Sequence, residues 1–149
     1  MAQHGAQVRW QRRGDEPFTD NRFSRAHDWT FDGGLTVPAS SSPLVLPRQS
    51  DPSAIDPEEA LIAALSSCHM MAFLYLAAKA GLVVEAYEDK ATGILAKTDG
   101  RVWLSQVTLR PHVTWGGPAP ADLSALHQAA HAECYIANSV KTEVRCEPA

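Results

Sequence analysis

The feature that most constrains this chain is the segment from Ala60 to Ala78, which runs for nineteen residues without a charged side chain. Strong helix-start signals precede it: Asp56 as N-cap, Pro57 at the first helical position and Glu59 three residues after the cap. Gly81 supplies a stop signal. The pattern predicts one helix of about 24 residues, roughly 36 Å long.

A helix this apolar has two possible environments, because about twenty apolar residues also suffice to cross a bilayer. Ser66, Ser67 and His69 interrupt the centre of the segment, and Glu58 and Glu59 lie at one end. Most of the remaining sequence has the alternation of water-soluble strands. These features favour a buried core helix over a membrane span.

The rest of the chain predicts strands, a second helix and turns. Alternating apolar residues predict strands near Val8 and Trp10, from Arg22 to Phe31, and at about 82–97, 101–115 and 140–146, with a helix at about 121–135. Turns are expected at 32–34 and 98–100, and the Pro- and Ser-rich residues 38–56 predict a long ordered loop. We therefore expect a single α+β domain over residues 1–149, with mostly antiparallel sheets packed around the long helix and the second helix.

Composition excludes several classes of function. The 149 residues carry 13 Lys and Arg against 17 Asp and Glu, a net charge of −4, with no basic patch for a phosphate backbone. The N-terminal residues lack the apolar stretch of a secretory signal, and three cysteines are too few for a disulfide scaffold. We expect a cytoplasmic protein with free thiols that binds neither nucleic acid nor membrane.

The three cysteines have different predicted settings. Cys68 lies about halfway along the long helix, where it is either an inert core residue or a reactive thiol activated by a cation from elsewhere in the sequence. Cys134 falls on the apolar face of the second predicted helix and could meet the first helix. Cys146 is interpreted as a sheet residue without a role. Cys68 and Cys134 are therefore a possible redox pair.

A metal site is an alternative on the second helix. His127, His131 and Cys134 are spaced i, i+4 and i+7, which places imidazole and thiolate ligands on one helix face. The same residues could instead satisfy polar groups beneath the helix. His69 is not expected to act as a base for Cys68, because neighbouring residues on a helix point about 100° apart.

Two blocks of sequence resemble a known family. The stretch DPEEALIAALSSCHMMAFLYLAAKAG and the later stretch AHAECYIANSVKTEV are similar to the OsmC/Ohr family of thiol-dependent peroxide reductases. The resemblance implies an intertwined homodimer that reduces organic hydroperoxides, with Cys68 as the peroxidatic and Cys134 as the resolving cysteine. It also implies an external dithiol or lipoylated protein as reductant and requires neither metal nor flavin.

The family also uses a glutamate and an arginine near the reactive thiol. The resemblance assigns the glutamate to Glu58, which follows the proline of the helix-opening motif. For the arginine it offers Arg48, in the loop before the helix, and Arg25, near the early strands. We favour Arg48, because its loop leads straight into the helix.

Two other functions remain open at this level. A protein of this fold could bind a small apolar or thiol ligand without catalysis, or it could bind a metal through His127, His131 and Cys134. Oxidation of Cys68 by an alkyl hydroperoxide would indicate a peroxidase rather than a non-catalytic binding protein. Elemental analysis of the purified protein would detect a bound metal.

Overall fold

The computed structural model describes all 149 residues as two helices, eight strands and a short 3-10 turn. The strands are β1 (Ala6–Arg9), β2 (His27–Phe31), β3 (Thr36–Ala39), β4 (Val84–Asp89), β5 (Thr92–Thr98), β6 (Arg101–Leu109), β7 (Pro111–Trp115) and β8 (Glu143–Cys146). The helices are α1 (Pro57–Lys79) and α2 (Leu123–Glu133), and the 3-10 turn is Ala137–Ser139. The predicted α+β class is confirmed, with seven of the eight strands paired antiparallel.

The chain divides into two compact units, residues 1–60 and 61–149. In the first unit, β1, β2 and β3 form an antiparallel sheet in which Trp29 of β2 lies opposite both Val8 and Val37. The loop predicted at 38–56 begins only after Ala39, because Pro38 and Ala39 belong to the edge strand β3. Within the loop, the buried Ser40 hydroxyl accepts a hydrogen bond from the Asp51 amide at 2.9 Å. A bridge between Ala39 and Ile55 brings the chain back to the start of α1.

The predicted strand from Arg22 is shorter in the structure, where β2 begins only at His27. Phe23 stacks on Phe18 with ring centroids 4.4 Å apart and meets the edge of Trp10 at 5.4 Å. Asn21 adopts a positive φ of 64°. Residues before His27 therefore form a turn around a local aromatic cluster, which outweighs their alternating pattern.

Both ends of α1 follow the sequence signals. The Asp56 carboxylate accepts a hydrogen bond from the Glu59 amide at 2.8 Å, and the Glu59 side chain accepts one from the Asp56 amide at 3.3 Å. This reciprocal pair is a capping box. At the other end, Gly81 has φ +75°, the left-handed conformation that terminates helices.

In the second unit, α1 buries every fourth residue of one stripe: Leu65, His69, Phe73 and Ala77. Leu65 packs in a cluster with Val107 and Leu109 of β6 and partly buried residues of β8, whereas Phe73 and Ala77 pack in a second cluster with Ala130 of α2. His69 lies on the stripe between these two clusters. By length and composition α1 could cross a membrane, as the core helices of many soluble proteins also could.

The two long strands predicted at 82–97 and 101–115 are each broken in two. Strands β4 and β7 form one antiparallel pair, while β5 and β6 form another with β8 parallel to β6. The turn at 98–100 is confirmed: Asp99 and Gly100 both have positive φ, as a two-residue hairpin turn requires. The strands thus form one long hairpin that turns a corner partway along.

Asp89 fixes that corner. One of its carboxylate oxygens accepts a hydrogen bond from the Arg110 amide at 2.6 Å, and the other accepts one from the Ser66 hydroxyl of α1 at 2.6 Å. Pro111, which has no N–H, begins the strand after the corner. A single carboxylate therefore holds both halves of the hairpin corner against the long helix.

We predict that Asp89→Ala lowers the free energy of unfolding by about 1–3 kcal/mol, because a partly buried amide and hydroxyl lose a charged acceptor. Urea denaturation measures the change. Glu88→Ala is the matched control: its ion pair with Lys90 is 3.5 Å long and solvent-exposed, so its removal should change stability by less than about 0.5 kcal/mol. Equal losses in the two variants would contradict this role for Asp89.

Candidate active site and a histidine–cysteine cluster

Cys68 lies at a pocket on the surface of the second unit. The pocket has a volume of about 440 Å³ and is lined by Cys68, Met71, Ala72, Tyr75, Glu133 and Tyr135. Three lining residues follow Cys68 on α1 by three, four and seven positions, which places them on the same helix face. Cys68 itself is partly buried. Its thiol can therefore meet a small molecule that enters an apolar pocket with one carboxylate at its edge.

Cys134 is buried beside Cys68. The Cys134 thiol accepts a hydrogen bond from the Ala137 amide at 3.5 Å, and Cys68 is close enough to act on its pKa. Burial raises the pKa of Cys134 to about 11, and the contact with Cys68 adds to the shift. The structure thus brings the two cysteines together, with one thiol open to the pocket and the other enclosed and protonated.

The position of Cys134 differs from the sequence prediction. Helix α2 ends at Glu133, and Cys134 is its C-cap residue with extended backbone angles, φ −74° and ψ 106°. The Asn138 side chain donates hydrogen bonds to the carbonyls of Ala132 and Cys134, at 2.9 and 3.1 Å. These bonds satisfy the free carbonyls at the helix end and hold the turn in which Cys134 lies.

The predicted glutamate and arginines belong to the first unit, whereas both cysteines of the pair belong to the second. Glu58 lies in the first turn of α1. Arg48 is exposed in a turn, and its guanidinium forms no hydrogen bond or ion pair within the chain. Arg25 is already engaged: it donates to the Asn21 side chain at 2.6 Å and covers the Phe23 ring at 3.5 Å.

The histidines and the third cysteine form a separate cluster. His69 Nε2 lies 3.0 Å from His127 Nδ1 and 3.7 Å from the Cys146 sulfur. His69 and His127 are buried, and their other ring nitrogens have no partner. His69 thus points away from the Cys68 pocket, as expected for neighbouring residues that diverge by about 100° around a helix.

This cluster corrects the metal-ligand set proposed from helical spacing. Ligand atoms that lie within 4.8 Å of one another belong to His69, His127 and Cys146, and not to His127, His131 and Cys134. Spacing on α2 alone could not reveal this group, because its members come from α1, α2 and β8. Cys146, interpreted as a sheet residue without a role, is one of its three members.

Burial controls the protonation of the cluster. Desolvation lowers the pKa of His69 to about 4, with a smaller contribution from the neighbouring His127. Desolvation also lowers the pKa of His127. Burial raises the pKa of Cys146 to about 11, and the Asp89 and Glu147 carboxylates add to this shift. Both imidazoles are therefore neutral and the thiol is protonated at pH 7.

Tyr75, Glu133 and Tyr135 of the pocket lining were not singled out from the sequence. Tyr75 could have been found, because it follows Cys68 by two helical turns on an exposed face. Glu133 and Tyr135 flank Cys134 in sequence, but only the fold turns them toward Cys68. No local pattern distinguishes them from ordinary surface residues.

Comparison with known proteins agrees with this architecture. The family model described as OsmC-like protein matches residues 50–148. An OsmC-like protein of unknown function from Vibrio cholerae is 49% identical, and the match covers 100% of both chains with a TM-score of 0.95. No curated protein matches the chain.

More distant solved structures share the fold. An organic hydroperoxide resistance protein OsmC from Legionella pneumophila is 19% identical, with 99% of this chain and 96% of that chain covered and a TM-score of 0.69. An organic hydroperoxide resistance protein from Elizabethkingia anophelis is 16% identical, with 99% and 94% covered and a TM-score of 0.71. The resemblance stated from sequence is confirmed: the chain belongs to the OsmC-like protein family.

Proposed function

We propose that this protein is a cysteine-based peroxidase that reduces organic hydroperoxides to alcohols. The observation that carries the proposal is the Cys68–Cys134 pair, in which one thiol borders a pocket and the other is enclosed beside it. Relatives of this fold named as organic hydroperoxide resistance proteins support the same reaction class. The apolar and aromatic lining of the pocket favours alkyl and aryl hydroperoxides over hydrogen peroxide.

The reaction divides into two steps. In the first, the Cys68 thiolate attacks the outer peroxide oxygen, so that an S–O bond forms, the O–O bond breaks and the alkoxide leaves as an alcohol after taking up a proton. In the second, Cys134 loses its proton and attacks the Cys68 sulfenic acid, which forms a disulfide and releases water. An external dithiol, free or on a lipoylated protein, then reduces the disulfide by exchange.

The different environments of the two thiols suit these roles. A thiol with a pKa of about 11 is almost entirely protonated at pH 7, so Cys134 is a poor nucleophile toward peroxide in the resting protein. Its position beside Cys68 nevertheless makes attack on the sulfenic acid intramolecular. Neither step requires a bound cofactor.

We assign thiolate stabilisation to Arg48. Its guanidinium is exposed and has no partner in the chain, so it is free to bind at the thiol, whereas Arg25 is held by Asn21 and Phe23. A carboxylate such as Glu58 can hold a guanidinium in place through a bidentate pair. The guanidinium would stabilise the thiolate and polarise the peroxide.

A homodimer accounts for how Glu58 could act at the thiol. Ten residues of helix separate Glu58 from Cys68, about 15 Å along the axis, so the two cannot share a site directly on one straight helix. A second chain with its α1 antiparallel would bring its Glu58 near Cys68. The exposed side of α1 supports this arrangement, because Met71 and Tyr75 are 62% and 65% exposed. We therefore propose a symmetric dimer as the active form.

We predict that one equivalent of cumene hydroperoxide links Cys68 to Cys134 while Cys146 stays reduced. Cys68→Ser should abolish turnover, because the nucleophile is lost. Cys134→Ser should consume one equivalent and then stall, with the sulfenic acid open to overoxidation. Peptide mass spectrometry identifies each product, and the Cys146 peptide serves as an internal control. A crosslink through Cys146 would contradict the mechanism, and unreactive Cys68 would favour a non-catalytic binding protein.

Arg48→Ala should reduce peroxide turnover by about a hundredfold, because an electrostatic contact to the reacting group is removed. Arg48→Lys should recover only part of the activity, since an ammonium lacks the bidentate fork. Arg25→Ala is the matched control and should retain most of the activity. Circular dichroism checks that each variant is folded. Loss of peroxide turnover in Arg25→Ala, together with normal turnover in Arg48→Ala, would assign thiolate stabilisation to Arg25 instead.

Light scattering should give about 32 kDa, twice the 16.2 kDa of the chain. Tyr75→Asp should shift the mass toward the monomer, because it places a charge in the proposed interface. Ala129→Glu, at an exposed position of α2, is the control and should remain dimeric. An active 16 kDa wild-type species at micromolar concentration would rule out the dimer as the required form.

A further inference from the structure

We propose that His69, His127 and Cys146 form a zinc site with one coordination position left for an exchangeable ligand. The three side chains come from α1, α2 and β8, so only the folded second unit assembles them. The site is distinct from the Cys68 pocket and does not depend on the peroxidase proposal.

The spacing of the ligand atoms agrees with tetrahedral zinc. Bonds of about 2.05 Å to nitrogen and 2.3 Å to sulfur place two nitrogens about 3.3 Å apart and a nitrogen and a sulfur about 3.6 Å apart. The corresponding distances here are 3.0 Å between His69 Nε2 and His127 Nδ1, and 3.7 Å between His69 Nε2 and the Cys146 sulfur. The third separation, between a ring nitrogen of His127 and the Cys146 sulfur, is within 4.8 Å.

Hydrogen bonding within the protein leaves this cluster only partly satisfied. A single ring nitrogen, His69 Nε2, faces both His127 and Cys146, and one proton on it can serve only one strong contact. The remaining nitrogens, His69 Nδ1 and His127 Nε2, are buried without a partner, which is costly for a core. A cation bound between His69 Nε2, His127 Nδ1 and the Cys146 sulfur would contact all three of these atoms, and the two unpartnered nitrogens would then carry the ring N–H groups.

The chemical types of the three groups suit zinc. Neutral imidazoles have a free lone pair, and a mixed nitrogen and sulfur ligand set is one that zinc prefers. Binding would form a Zn–S bond at Cys146 and release its thiol proton to solvent.

A second pocket provides access and room for the fourth ligand. It has a volume of about 240 Å³, and its lining includes His127, Cys146, Gln128 and His131. Three protein ligands with one position open to a pocket is the arrangement of zinc sites that bind water or an exchangeable ligand. Water or a small anion fits that position.

Cobalt titration of the reduced full-length protein tests the site. Wild type should bind one Co²⁺ per chain with a thiolate-to-cobalt charge-transfer band, and Zn²⁺ should displace it. Cys146→Ser should lose the band, and His127→Gln should bind at least tenfold more weakly. Cys134→Ser and His112→Gln are matched controls and should bind as wild type does. A band that survives in Cys146→Ser but disappears in Cys134→Ser would overturn the proposal.

A second measurement on wild type does not depend on the variants folding. Saturating Zn²⁺ should slow alkylation of Cys146 by N-ethylmaleimide at least tenfold, while Cys68 reacts at an unchanged rate. Peptide mass spectrometry follows both cysteines in one sample. Equal alkylation of Cys146 with and without zinc would show that no ion binds there.

Discussion

The structure of the second unit depends on how α1 is buried. The buried residues of α1 recur at every fourth position along one side of the helix. Of these, Leu65 packs against β6, and Phe73 and Ala77 pack against α2. Because the helix carries no charge between its ends, it can be enclosed on that side and still present apolar residues on another face. Successive residues diverge by about 100°, so Cys68 and His69 enter different environments although they are neighbours in sequence.

The three cysteines of the chain therefore lie in three different chemical environments. Cys68 borders a pocket, Cys134 is enclosed in the turn that caps α2, and Cys146 lies beside two neutral histidines. Desolvation keeps the latter two protonated. In the mechanism proposed here, Cys134 becomes a nucleophile only after Cys68 is oxidised. Zinc at Cys146 would keep the third thiol out of disulfide exchange and would stabilise the folded state by mass action.

Much of the local structure follows from sequence, since it depends on contacts between residues close in the chain. The capping box of Asp56 and Glu59, the stop at Gly81 and the hairpin turn at Asp99 and Gly100 are all local. The long alternating strands are also visible, but not their break at Asp89. That break depends on hydrogen bonds from Ser66 and Arg110, which are 23 and 21 residues away.

Sequence also identified the family and the candidate redox cysteines, because both conspicuous motifs surround a cysteine. It could not determine which side chains meet. Helical spacing grouped His127 with His131 and Cys134, yet the fold places His127 against His69, 58 residues away, and Cys146 against His69, 77 residues away. The period of a helix fixes only which residues share a face. What that face meets is decided by the packing of α1, α2 and β8, which forms only when the chain folds.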